Sequence, residues 1–357
     1  MTESARRFAV DELHAFTAAV FEALAVPAED AARTARILVD ADLSGITTHG
    51  LSNLAEHWHY VRGLRAGVVE PCPRIEVLRE TGATAALAAG AGLGPVVADR
   101  AMRMAIDKAE AHGVGTVTVR DGRHFGAAGY YARMAAECGL VGIVMAHTSP
   151  SGVPPGATVP AVGTNPIAIG APIPGAAPFV FDMAVTAAAG TKVLNAARDG
   201  RRLPPGLIVD AEGRTTTDPG RSAGLLLLGA GTGGGHKGFG LGVMVDILSG
   251  LLSGTGTGLF QQYGPEWRIG YWMSAWRIEA FTDPEDYARE ASRMAEGLHA
   301  LDPAPGTAGV LLPGERAARC REENRSGGVP LHHAVVDGCR SVGADLGIPF
   351  PAPLPAT

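Results

Sequence analysis

Between Asp11 and Leu24, the apolar residues Leu13, Phe16, Val20 and Leu24 recur three and four positions apart, the repeat of one helix face, and Pro27 stops the run. A second helix follows, with Ala31, Ala35, Leu38 and Val39 as a small-residue face, and it runs into Thr48-His49-Gly50. Past Pro71 and Pro73 the pattern becomes alternating strands and helices. Ile75 to Leu78 and Ala85 to Ala89 read as short strands, Gly94 to His112 as a helix with Val97, Met104 and Ala105 inward, and Val114 to Val119 as a β-branched strand. Leu140 to Met145 is apolar enough to be a strand buried on both faces. Gly163 to Gly170 opens a strand from an Asn-Pro turn, and Phe179 to Ala184 is a strand ending in the carboxylate of Asp182. Gly190 to Thr217 holds a basic connector, Arg198 to Pro205, and a turn at Asp210 to Gly213. After Gly233 to Gly240 comes an apolar helix, Leu241 to Leu252; beyond Asp283 the chain is charged and helical up to Leu346 and is expected to pack beside the N-terminal helices. The expected fold is α/β (α+β), with an α/β domain over 75–284 and a discontinuous helical domain over 1–74 plus 285–357.

A chain of 357 residues, 46% hydrophobic and 18% charged, can bury more than one core, and its 49 glycines and 25 prolines imply many tight turns. The net charge of −6 without a long basic block argues against nucleic acid and against electrostatic membrane binding. The stretch from Met1 to Phe8 leads into no apolar signal region, and no apolar run reaches bilayer length, so a cytoplasmic protein is expected. Cys72, Cys138, Cys320 and Cys339 are scattered and read as free thiols, and the close pairs His57/His59 and His332/His333 lack a carboxylate or thiol at ligand spacing, so no metal is expected.

Three stretches carry candidate chemistry. In Gly122 to Tyr131, His124 falls where a strand gives way to a helix, a place where free N–H groups and small residues admit a ligand and an imidazole can pass a proton; a capped helix beside a half-buried histidine is the plainer reading. Thr48-His49-Gly50 sets a hydroxyl before an imidazole at a helix end, weak as a signal on its own. Gly233 to Gly240, with His236, Lys237 and Gly238, either presents N–H groups and an ammonium to an anion or is a glycine linker. No GxGxxG fingerprint follows a first strand and there is no P-loop, so an ordinary dinucleotide fold is not supported.

Taken together, Thr48-His49-Gly50, the run from His124 to Tyr131, Gly163-Thr164-Asn165-Pro166-Ile167-Ala168, Phe181-Asp182-Met183-Ala184 and Gly234 to Gly240 resemble, in order and spacing over nearly the whole chain, the malate/L-lactate dehydrogenase-like family of NAD(P)H-dependent oxidoreductases. That family includes ureidoglycolate and sulfolactate dehydrogenases, diketogulonate reductase and piperideine carboxylate reductase. The resemblance implies a nucleotide-binding fold unrelated to the Rossmann type, NADH or NADPH as cofactor, and a homodimer with the site near the subunit interface. It implies that His49 is the proton donor with Thr48 beside it, and that His124 is the second active-site histidine. Thr164, Asn165 and Pro166, the run Asp182, Met183, Ala184, Val185, Thr186, Ala187 and Ala188, then His236, Lys237 and Gly238, and finally Pro313, Gly314 and Glu315 match cofactor-binding segments. Many relatives carry arginines at the positions of Ser44 and Asn53, thought to grip a substrate carboxylate, and asparagine at those of Arg123 and His147. Arg123 and His147 are therefore substrate-contact candidates, although Arg123 could equally face solvent or form an ion pair. The substrate is expected to be a ketone, a 2-oxo acid derivative other than simple malate or lactate, or a cyclic imine; a catalytically silent binding partner is the alternative from another class.

Overall fold

The computed structural model describes residues 6–55 and 57–355; Glu56, which opens the histidine-rich segment, and residues 1–5 of the N-terminal stretch lie outside the described residues. The chain begins with β1 (Arg6–Phe8), α1 (Val10–Glu22) and α2 (Ala28–Leu43). Leu13, Phe16 and Val20 are buried as their spacing requires, while α1 stops short of Leu24, and Pro27 stands at the N-terminal end of α2. After the short α3 (Val61–Arg65) come β2 (Glu76–Glu80), β3 (Thr84–Ala88), α4 (Gly94–His112), β4 (Val114–Gly122), α5 (Ala128–Glu137) and β5 (Leu140–Ala146). The middle of the chain supplies β6 (Gly152–Val153), β7 (Ile167–Ala171), β8 (Phe179–Met183), α6 (Gly190–Arg198), β9 (Ile208–Val209), β10 (Thr215–Thr216), β11 (Gly224–Leu226) and α7 (Gly235–Val245). It closes with β12 (Ile269–Arg277), α8 (Pro284–His299), α9 (Glu315–Gly327), β13 (Val329–Leu331) and α10 (His333–Leu346).

Seven strands form one mixed sheet in the order β2-β3-β4-β12-β5-β7-β8. Only β3 and β4 run parallel; β12 is antiparallel to both of its neighbours, with Met273 opposite Val117 on one side and Val144 on the other. On one face, α4 and α5 bury Val97, Ala101, Tyr131 and Ala132 against Val117, Val119, Tyr271 and Met273. At Gly170 a Cβ would lie 2.2 Å from the Ala132 carbonyl oxygen, so α5 can rest on β7 only because that side chain is missing. On the other face Met145, Ile167 and Val185 meet Val245 of α7.

A second core joins the two ends of the chain. β1 pairs antiparallel with β13, Arg6 opposite Leu331, and Phe8, Leu13, Leu38 and Leu43 pack with Val329, Val336 and Val342. The expected packing of the C-terminal part therefore applies to α9 and α10, whereas α8 sets Ala291 and Ala295 against Ile173 and Leu312. Two further differences matter for the site. The helix expected from Leu241 starts at Gly235 instead, so most of the glycine-rich stretch is helical and continues into a π-helix over Asp246–Leu251. Central strand β12 is absent from the sequence-derived elements, because its burial comes from pairing with strands more than a hundred residues away in sequence.

Candidate active site

The end of the sheet, α2 and the N-terminus of α5 enclose a cavity of about 990 Å³. Its histidine-bearing wall begins where α2 ends. Asp42 is buried there and accepts the Leu51 N–H at 2.8 Å, and burial pushes its carboxyl up to about 7 while that N–H pulls it down. Above it, a Cβ on Gly50 would come within 2.2 Å of the Asp42 carboxyl, so glycine is what lets the Thr48-His49-Gly50 turn close down. Asn53 donates from its amide to the Thr48 carbonyl at 2.9 Å, and the Thr48 hydroxyl lies 2.8 Å from His49 Nδ1. The turn is thus held from both sides before any ligand enters.

His124 comes from the sheet side, just past β4. Its backbone N–H donates to His59 Nδ1 at 2.7 Å, and its own Nδ1 lies 2.8 Å from the hydroxyl of the buried Tyr60. The His49 and His124 rings lie nearly parallel, 5.6 Å apart between centroids, and His57 comes within 4.4 Å of His124. Burial lowers all three imidazoles: His49 to about 4, His57 to about 3 with help from His59 and His49, and His124 well below the usual value with help from its two neighbours. At pH 7 they are neutral.

The opposite wall carries most of the expected cofactor segments. Asp182 is open to the cavity and accepts the Gly129 N–H near the start of α5 at 2.7 Å; the enclosing walls still push its carboxyl up to about 6, against that hydrogen bond. Met183, Ala184, Thr186 and Ala188 line the cavity, as do Thr164, Pro166, Pro313 and Gly314. Val185 instead turns into the core, and Ala187 bonds through its backbone to Leu226. Asn165 adopts a positive φ of 38° and is fully buried, its amide bridging Thr148 N–H and the Gly242 carbonyl, so it braces the loop from behind. Glu315 also turns away, pairing with His299 at 2.8 Å and capping the Leu312 N–H. His236 and Lys237 are exposed at the start of α7 and do not line this cavity; Gly238 packs on the backbone of the wall residue Leu228.

The two substrate-contact candidates from sequence are corrected. Arg123 is 1% exposed, and its guanidinium donates to the carbonyls of Pro265 (3.0 Å), Trp267 (2.9 Å) and Val68. Neighbouring residues at a strand end face opposite ways, so His124 meets the cavity and Arg123 the interior, where burial and Arg268 lower its pKa to about 10. His147 is fully buried and accepts the Gly270 N–H at 3.1 Å, while Ala146 and Thr148 on either side face the cavity. Sequence reasoning missed His57, Tyr60 and Thr148. The histidine-rich segment hinted at the first two, but only the fold brings it against His124.

The sequence model for malate/L-lactate dehydrogenase matches residues 8–339. The chain belongs to that family. The malate dehydrogenase of Pyrococcus abyssi is 36% identical over 96% of this chain and 95% of its own length, and the ureidoglycolate dehydrogenase (NAD(+)) of Escherichia coli O157:H7 is 34% identical over 80% and 81%. Among solved structures, the malate dehydrogenase of Pyrococcus horikoshii OT3 superposes with a TM-score of 0.90 at 33% identity, covering 98% of both chains. The Δ1-piperideine-2-carboxylate reductase of Pseudomonas syringae pvar. tomato gives 0.82 at 28% identity, over 96% of this chain and 100% of the other. As a family member the protein is an oxidoreductase that works with a nicotinamide cofactor, and its fold is the family's and not the Rossmann type.

Two substitutions test this geometry. Gly50→Ala forces a methyl group into the Asp42 carboxyl and should cost about 1–3 kcal/mol of stability in chemical denaturation, the usual cost of overpacking, together with most of the turnover; an active, equally stable variant would show that the turn is not clamped. Arg123→Leu removes the guanidinium from the carbonyls of Val68, Pro265 and Trp267, of which Arg268 also reaches the last two, and should cost about 1–3 kcal/mol. Unchanged stability with a raised Michaelis constant for anionic substrates would restore Arg123 to the substrate site.

Proposed function

We propose that this family member transfers a hydride between NADH or NADPH and the carbonyl or hydroxyl carbon of a small 2-oxo acid-like substrate. The observation that supports it most is the pair of parallel, uncharged imidazoles, His49 and His124, at one end of a cavity whose other wall holds an open carboxylate, Asp182. The walls suit a dinucleotide: Gly126 to Gly129 and Ala184 to Ala189 are mostly small residues that leave backbone within reach, and Asp182 can accept a hydrogen bond from a ribose hydroxyl. The cofactor, when bound, supplies or takes the hydride. His49 moves the proton: its neutral ring takes one from a substrate hydroxyl in oxidation, and its protonated form returns one in reduction. Thr48 and Tyr60 orient the two rings through their hydroxyl contacts.

Reduction of a cyclic imine is the second reading, favoured by the structural likeness to the piperideine carboxylate reductase, and it uses the same donors. Both histidines, Asp182 and Lys237 are present, which speaks against a silent binding partner. A homodimer is proposed because Val243 at the end of α7, Ile247 and Leu251 on the π-helix, and Leu252 and Phe260 beyond it are exposed apolar residues that a second copy would cover. A cytoplasmic setting is proposed on the absence of disulfides among the four cysteines; no helix among the described residues is long and apolar enough to cross a membrane.

Calorimetric titration should show NADH or NADPH binding, weakened in Asp182→Ala by about 1.5–3 kcal/mol through loss of the charged acceptor for a ribose hydroxyl; no binding of either cofactor to the unmutated protein would remove the proposal. The low pKa of His49 also fixes a pH profile. Above about 4 the protonated form becomes scarce, so kcat/KM for reduction should fall about tenfold per pH unit while that for oxidation stays level. A reduction profile that is flat across the neutral range would contradict His49 as the proton donor.

A further inference from the structure

His57 belongs to none of the family motifs, yet it sits at the reacting end of the cavity. Its ring lies 4.4 Å from His124 between centroids, 5.8 Å from Tyr263 and 6.0 Å from Trp267. Tyr263 and Trp267 are 5.1 Å apart, and His59 stacks on Trp267 at 4.9 Å. His57 Nδ1 accepts the His59 N–H at 3.2 Å, which fixes the ring beside this cluster. The cavity's charged lining residues, Asp40, Arg133, Asp182, Arg316 and Arg321, come from α2, α5, α9 and β8. Among the described residues of 46–55, 57, 124–128 and 263–269, none adds a charge to the lining. Ser44 accepts from Arg321 at 3.1 Å on the α2 side, and Asn53 has spent its amide on the Thr48 carbonyl. A carboxylate brought to the His57 end would lose its hydration without a counter-charge, whereas a flat ring would meet π-faces on several sides.

We propose that His57 determines specificity: with Trp267 and Tyr263 it forms an uncharged, ring-lined wall that accepts a planar aryl or unsaturated cyclic substituent beside the reacting carbon and turns away a second carboxylate. This rests on the oxidoreductase reading above, and names the substrate class that the same site selects. His57 acts through shape and ring contact, so replacing it with a cation should invert the preference.

The test uses the full-length protein and begins with NADH and NADPH titration, because failure to bind either would defeat the oxidoreductase reading and this proposal with it. With cofactor binding established, kcat/KM is measured for phenylpyruvate, pyruvate and oxaloacetate in the wild type, His57→Arg and His57→Leu, each checked for an intact melting transition. The wild type should prefer phenylpyruvate by tenfold or more over the other two. His57→Arg should lower phenylpyruvate and raise oxaloacetate, shrinking their ratio at least tenfold with cofactor affinity unchanged, and His57→Leu should lower phenylpyruvate without raising oxaloacetate. Wild-type preference for oxaloacetate or pyruvate, variants that change all three substrates by one factor, or cofactor binding without turnover of any of the three would each overturn the proposal. The last of these would leave the oxidoreductase reading to be tested on imines and neutral ketones.

Discussion

Everything at this site depends on holding two imidazoles, half-buried in the cavity wall, uncharged against each other without a carboxylate to steady them. Desolvation is what keeps them neutral, and desolvation is a property of the assembled walls, not of either residue. His49 arrives from the helical layer through the turn clamped by Asp42, and His124 arrives from the end of the central sheet through the His59 and Tyr60 contacts. The pair therefore exists only when the layer that joins the chain termini is docked on the sheet. That docking is close: a Cβ on Gly126, just past His124, would lie 3.4 Å from the Ile37 side chain of α2.

On the reading proposed above, a dinucleotide would be held without a glycine fingerprint after the first strand. Backbone reach is supplied here by the Gly126 to Gly129 entry into α5 and by the alanine-rich stretch after β8, while one open carboxylate, Asp182, sits at the N-terminal end of α5. A carboxyl held there at about 6 is close to its switching point near neutrality, because the helix-end N–H favours the charged form and the surrounding walls oppose it.

Much of the architecture was legible in local pattern. The limits of α4 follow from its apolar repeat and from the glycines that flank it, and β4 and β5 follow from β-branched and apolar runs. The motifs carried the histidine pair and Asp182, because those positions are defined by short spacings. What was not legible depends on long-range contact. The central strand β12 earns its place from partners on both sides, and the roles of Arg123 and His147 depend on which way a side chain leaves a strand end, a choice that flips with one residue of register. Tyr60 and His57 gain meaning only when residues 57–60 fold onto His124, 64 positions away in sequence from Tyr60.

The charge state of the imidazole pair in the resting protein tests this account most directly. NMR titration of ring-labelled histidine, with His49→Gln and His124→Gln used to assign the two signals, should show both rings neutral at pH 7, His49 still neutral down to about pH 5 and His124 titrating well below the ordinary histidine value. Titration of either ring near 6.5, the ordinary histidine value, would mean that the walls do not exclude water as described and would contradict the central claim.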